Sequence, residues 1–255
     1  MPFQRLRRDA GYLVLLITQY WHTPTIPTEV LPLISTFRLN NPDCEHVLFN
    51  EATAEDFIAA HFSEREVAAF RACAVPAMQA DYLRYCALLV TGGLFSDADT
   101  RCLQSLRPLF EQVEHAHFFR RRNGAIPNGY FITRSPGHEL LRFELDVATL
   151  NIERKAFGSV WLATGPGILT VLSLLHWGGL ENYQPIYRPW TQEDRADFLR
   201  LADIVRSVAG NRIHTLFDRA LVSPISDLAA YLIRGQVNYK NTTTHWLNWP
   251  GSIYR

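Results

Sequence analysis

Residues 76–99 read PAMQADYLRYCALLVTGGLFSDAD, and this stretch decides the fold. Pro76 suits the first turn of a helix, where its missing N–H leaves nothing unpaired. Met78, Tyr82, Cys86 and Leu89 then recur at helical spacing, which predicts a helix over 76–90 with one apolar face. Gly92-Gly93 supplies a left-handed stop. Leu94-Phe95-Ser96 follows as a short strand, and the chain leaves it through Asp97-Ala98-Asp99-Thr100. Outward from this core the alternation continues. Residues 12–17, 46–49, 115–119 and 130–133 read as strands. Helices are expected over 27–38, 52–61, 63–73, 137–150, 168–175 and 191–208, with Ser63 and Glu66 as a capping box. Short apolar strands alternating with longer helices predict an α/β architecture.

The chain has 255 residues, 47% of them apolar and 20% charged, so it can bury an ample core. Residues 1–255 read as one domain with a smaller helical C-terminal part. Lys plus Arg and Asp plus Glu are 25 each, which leaves no net field to draw in a nucleic acid. All the basic residues are Arg except Lys155 and Lys240. Cys44, Cys73, Cys86 and Cys102 form no CxxC pair and are expected to be reduced thiols in the cytoplasm. Arg5, Arg7 and Arg8 precede the apolar run 12–17, but the run is too short to span a membrane and no small-residue cleavage site follows it. The expectation is a soluble protein or one resting at the inner membrane surface.

The chemistry concentrates on Asp97 and Asp99. Two carboxylates at i and i+2 in extended chain point to one side and repel, and a hard divalent cation relieves that repulsion. The pair also falls at the carboxyl end of a strand, where α/β sheets bind ligands. Taken alone, a DxD reads more readily as a solvated turn with two surface acids, because acids are common in turns. Asp81 and Arg84, three apart, lie on one face of the preceding helix.

The whole run from Ala77 to Asp99 resembles the DxD-containing sugar-binding region of glycosyltransferase family 32, which includes initiating mannosyltransferases and capsular polysaccharide glycosyltransferases. Its pattern is a helix with A-x-x-S/A-D-x-x-R-Y, a Gly-Gly turn and a strand ending in D-x-D. Further segments resemble the family in order: Ile17-Thr18-Gln19-Tyr20-Trp21, Asn41-Pro42-Asp43 with His46 to Asn50, Asn128 to His138, Thr164-Gly165-Pro166-Gly167, and His245-Trp246 with Gly251-Ser252. Thr18 stands where the family usually has His. Pro250, two extra residues and Ile253 alter the closing motif.

The resemblance implies a GT-A-type nucleotide-sugar-binding domain with a mostly parallel central sheet, acting as a retaining, metal-dependent hexosyltransferase. It implies that Asp99 binds Mn²⁺ or Mg²⁺ on the donor diphosphate, with Asp97 and His245 completing the metal set. Asp81 and Arg84 would position the donor sugar or phosphate, which with Asp97 and Asp99 makes the catalytic group. Trp21 would stack on the base, and Asn128, Trp246 and Ser252 would complete the donor site. The implied donor is a UDP- or GDP-hexose, and the acceptor a glycan, lipid-linked or protein hydroxyl. Two other readings use the same acids: a haloacid-dehalogenase-type phosphohydrolase, and a non-catalytic sugar-binding module. The first wants a later Lys and an acidic metal pair, and only Lys155 and Lys240 are available. His115 with His117, the run Arg120-Arg121-Arg122 and the sequon at Asn241 read more simply as surface features.

Overall fold

The computed structural model describes residues 15–185, 189–243 and 245–255. Five strands run in one direction and one against them. In chain order these are β1 (Leu16–Tyr20), β2 (Glu45–Phe49), β3 (Gly93–Ser96), then, after the short β4 (Thr100–Cys102), β5 (Ala116–Arg120), β6 (Tyr130–Thr133) and β7 (Ala220–Pro224). The sheet order is β2-β1-β3-β6-β5-β7, and only β6 is antiparallel to its neighbours. A separate ribbon pairs β4 with β8 (Leu232–Arg234). This is the expected α/β class with a mostly parallel sheet.

The helices are α1 (Leu31–Asn40), α2 (Glu51–His61), α3 (Glu64–Ala72), α4 (Pro76–Thr91), α5 (Arg107–Glu111), α6 (Glu139–Glu153), α7 (Val160–Ala163), α8 (Gly167–Trp177) and α9 (Gln192–Ala209). The Glu66 carboxylate accepts from the Ser63 N–H at 3.0 Å, so the expected capping box forms. An equivalent box of Thr191 and Asp194 starts α9. Caps of this kind contribute roughly 1 kcal/mol each.

Three expectations need correction. Residues 12–14 of the first expected strand lie outside the described residues, and β1 runs on to Tyr20. Thr18 and Gln19 are fully buried within it, because the strand is covered on both faces and the Gln19 amide is taken up by neighbours. The expected helix 27–38 starts later, at Leu31, after a turn that closes from the Val30 N–H to the Pro27 carbonyl at 2.9 Å. Finally, α4 is not a helix with one apolar face. It lies between β1 and β3 on one side and α6 on the other, with α2, α3 and α7 alongside, so that even Asp81 and Arg84 are buried. Side chains such as Tyr82, Leu83 and Leu88 are fully buried there and contribute roughly 1.5–3 kcal/mol each.

The Gly92-Gly93 turn brings β3 directly beside β1. Gly93 has φ +94°, and a Cβ there would run into the Leu16 carbonyl, so only glycine fits. No helix among the described residues is long and apolar enough to cross a membrane. All four cysteines are free.

Candidate functional site

Asp97, Ala98 and Asp99 leave the carboxyl end of β3 in a tight turn. The Thr100 N–H donates to the Asp97 carbonyl at 3.1 Å, and the Asp97 N–H to the Gly129 carbonyl at 3.1 Å. This differs from the extended conformation expected from the sequence. The two carboxylates converge nonetheless, because one guanidinium binds both. Arg234, the last residue of β8, donates from Nη1 to Asp99 Oδ1 and from Nη2 to Asp97 Oδ2, each at 2.6 Å. Strand pairing sets this up, since Thr100 faces Arg234 in the β4–β8 ribbon.

Behind the pair, α4 presents Asp81 and Arg84. Arg84 Nη1 donates to Asp81 Oδ1 and Nη2 to Asp97 Oδ1, both at 2.7 Å, while its guanidinium lies 4.5 Å from the Phe95 ring centre. Asp81 also accepts from Asn128 Nδ2 at 2.9 Å and from Thr164 Oγ1 at 3.2 Å. Burial pushes the Asp81 carboxyl up to about 6, with Arg84 opposing and Asp97 adding to the rise. Glu144, also fully buried and close to this pair, is pushed well above the usual carboxylate range by burial.

Asp99 is the more enclosed acid of the pair. Its Oδ2 faces Lys240 Nζ at 2.7 Å and accepts from the Tyr239 hydroxyl at 3.3 Å. Burial alone would raise its pKa, but Arg234 and Lys240 beside it hold it below the usual range. Gln19 Nε2 donates to the Asp97 carbonyl at 3.3 Å and its Oε1 accepts from His46 Nε2 at 2.7 Å.

The three acids with Arg84, Arg234, Tyr239 and Lys240 form part of the wall of a cavity of about 1370 Å³. Asp81, Arg84, Asp97, Asp99, Asn128, Trp21, His245 and Trp246 all line it, so the structure brings together every expected site residue except one. Ser252 does not line the cavity. It is exposed, and its carbonyl accepts from Trp249 Nε1 at 3.1 Å in a local turn. Trp21 is buried among Val30, Ile34, Ala98 and Val237, with its ring edge-on to Tyr239 at 5.1 Å. The histidine pair does not act as a pair: His117 Nε2 meets Ser223 Oγ at 2.8 Å across to β7, and burial lowers its pKa to about 4.

The metal set expected from the resemblance was Asp97, Asp99 and His245. Among the described residues, no group of three or more His, Cys, Asp or Glu side chains is placed to hold a metal ion. His245 Nδ1 is buried without a hydrogen-bond partner, and burial, with Lys240 adding, lowers its pKa and keeps the ring neutral. The obstacle is the carboxylates. Arg84 and Arg234 take the two oxygens of Asp97, while Arg234 and Lys240 take those of Asp99. A divalent cation does not fit this arrangement without displacing Arg234 and Lys240, because every carboxylate oxygen already faces a cation that would repel it.

Arg234, Tyr239 and Lys240 are the site residues that sequence reasoning misses. Arg234 meets Asp97 across 137 positions, and nothing local marks such a pairing. The one available signal is Lys240, a rare lysine in a chain whose cations are otherwise nearly all arginine.

Residues 27–116 match the family described as the glycosyltransferase sugar-binding region containing the DXD motif. The match covers the segment that holds α4, β3 and the Asp97/Asp99 turn. The chain is also similar to the initiation-specific alpha-1,6-mannosyltransferase of Schizosaccharomyces pombe, at 26% identity over 216 residues. That alignment covers 68% of this chain and 53% of the yeast protein, so the chain spans about half the length of the curated relative it matches. Among solved structures it resembles the PaToxG glycosyltransferase with a TM-score of 0.53 and 16% identity, over 86% of this chain and 88% of that one. At that identity the likeness is one of fold.

Proposed function

We propose that this chain, which carries the DXD sugar-binding region, is a retaining glycosyltransferase that moves a hexose from a UDP- or GDP-hexose to a hydroxyl of a glycan, lipid-linked or protein acceptor. One observation carries the reading. A buried Asp81–Arg84–Asp97 relay ends at the DXD turn, at the carboxyl end of β3, and opens into a cavity large enough for a nucleotide-sugar.

In this reading Trp21 and Trp246 flank the nucleotide, and Asn128 lies beside the donor sugar. Arg84 is locked by two carboxylates, so it holds Asp97 in one orientation and loses no entropy when donor arrives. Cations and hydrogen-bond donors engage the oxygens of Asp81, Asp97 and Asp99 and offset their charge, which makes these acids poor nucleophiles. That supports front-face substitution over a covalent glycosyl-enzyme. The bond from the anomeric carbon to the diphosphate oxygen breaks, and the acceptor oxygen bonds to that carbon on the same face. The departing phosphate oxygen takes the acceptor's proton. Negative charge grows on the leaving diphosphate, and the cations lining the DXD turn stabilise it. The Mn²⁺ or Mg²⁺ that the resemblance places on Asp97, Asp99 and His245 would need Arg234 and Lys240 to let go first.

The test is release of nucleoside diphosphate from a panel of UDP- and GDP-hexoses. Asp99→Asn is expected to abolish it while the far-ultraviolet spectrum stays that of the wild type. Full turnover in that variant would remove the reading.

A further inference from the structure

Arg234 is not a casual surface contact. Its guanidinium is seated on the Gly129 backbone, where an added Cβ would come within 2.6 Å of Nη2, and it lies 5.5 Å from the Tyr130 ring centre. Gly235, next in the chain, packs so closely that a Cβ there would meet the Asp99 carbonyl at 3.0 Å. Two carboxylates, an aromatic face and two glycines therefore fix one orientation of the fork.

The accessible part of the cluster is cationic. Asp81, Asp97 and Asp99 are matched by Arg84, Arg234 and Lys240, but two of the cations are more exposed than any of the acids, the most open of which is Asp97 at 22%. Asp99 and Arg84 side chains are each 2% exposed, whereas Arg234 is 47% and Lys240 31% exposed. Within this cluster Arg234 and Lys240 are the cations that an anion in the cavity can reach. A guanidinium held from behind by two carboxylates keeps its remaining N–H edge for a second partner. A planar fork beside an ammonium suits adjacent phosphoryl groups.

We propose that Arg234 and Lys240 form the diphosphate-binding pair of the donor site. In this chain the Arg234 guanidinium takes the bridging place between the DXD carboxylates, so a diphosphate binds without an added divalent cation. The proposal rests on the nucleotide-sugar reading of the same site.

The experiment is calorimetric titration of the full chain with inorganic pyrophosphate, UDP and GDP, in EDTA and again in Mn²⁺. Pyrophosphate is expected to bind the wild type in EDTA, with Mn²⁺ tightening it by less than about threefold. Arg234→Gln should weaken the EDTA affinity by about tenfold or more, and Lys240→Gln by severalfold. Because Arg234→Gln strips two acids of a partner and can fail to fold, the wild-type EDTA arm and the more exposed Lys240→Gln each decide the matter without it. Pyrophosphate binding that appears only with Mn²⁺ and survives Lys240→Gln unchanged overturns the proposal. If pyrophosphate binds in EDTA but no nucleoside diphosphate binds in either buffer, the anion pair stands and the nucleotide-sugar reading falls.

Discussion

Replacing Arg84 with Met removes a buried cation while keeping much of its volume, and the consequence depends on pH in a calculable way. Asp81 has a folded pKa of about 6 against an ordinary value of 3.8. At pH 7 the wild type therefore folds against a cost of about 3 kcal/mol from this group. Without Arg84 the Asp81 pKa rises further, and the cost grows toward its ceiling of about 4.4 kcal/mol, that of folding with the acid neutral. The difference, at most about 1.4 kcal/mol at pH 7, vanishes in acid. By pH 5 both proteins fold with Asp81 largely protonated, and it falls to about zero. The lost fork bonds to Asp81 and Asp97 and the lost stacking on Phe95 add a pH-independent loss of roughly 2–3 kcal/mol. Together these predict a fall in Tm of roughly 7–18 °C at pH 7 and visibly less at pH 5. Urea melts of the wild type, Arg84→Met and the Asp81→Asn/Arg84→Met double variant at the two pH values are the assay. The double variant should lose the pH-dependent part. A destabilisation equal at both pH values, or larger at pH 5, would refute the reasoning.

Two further outcomes are expected. Glu144→Gln should stabilise the protein, because burial holds the wild-type carboxyl far above its usual range, so folding takes up a proton and stability falls as pH rises above that range. The advantage of the variant should grow as pH rises above the usual carboxylate range, by up to about 1.4 kcal/mol per pH unit, and parallel stability profiles would contradict it. Gly129→Ala places a Cβ 2.6 Å from Arg234 Nη2 and 2.7 Å from Asp97 Oδ2. It should lower turnover by about tenfold for a stability loss of only about 1 kcal/mol, and unchanged turnover would mean that the Arg234–Asp97 contact is idle.

What the sequence makes legible is local. The spacing of Met78, Tyr82, Cys86 and Leu89 finds α4, the double glycine finds its end, and Ser63 with Glu66 finds the start of α3, because each signal lies within a few residues of its effect. The same locality misleads about α4, whose polar residues look solvent-facing until the surrounding helices close over them. It also gives Asp97 and Asp99 an extended backbone when the Gly129 carbonyl folds them into a turn. β7 and β8 escape notice because they are short and pair only with strands more than a hundred positions upstream, as the 106-residue separation of His117 and Ser223 shows. Arg234 and Lys240 escape with them. Ser252 is exposed and lies outside the cavity wall, in the closing segment where Pro250 and added residues alter the family's motif.

The β5–β7 pairing also shapes how the molecule comes together. Closing so long a loop costs conformational entropy that shorter pairings do not, so contacts of this kind form late and slow the search. Until β7 docks, β5 is an edge strand whose outer N–H and C=O groups are open to other chains. The segment that follows β7 is the one that delivers Arg234 and Lys240. A chain emerging from its N-terminus thus builds Asp81, Asp97 and Asp99 with Arg84 as their one counter-ion among these partners, and waits for the other two. The nucleus of the fold can assemble before the candidate site is complete, and the chain that first caps the vulnerable edge at β7 goes on to supply the partners of the repelling acids.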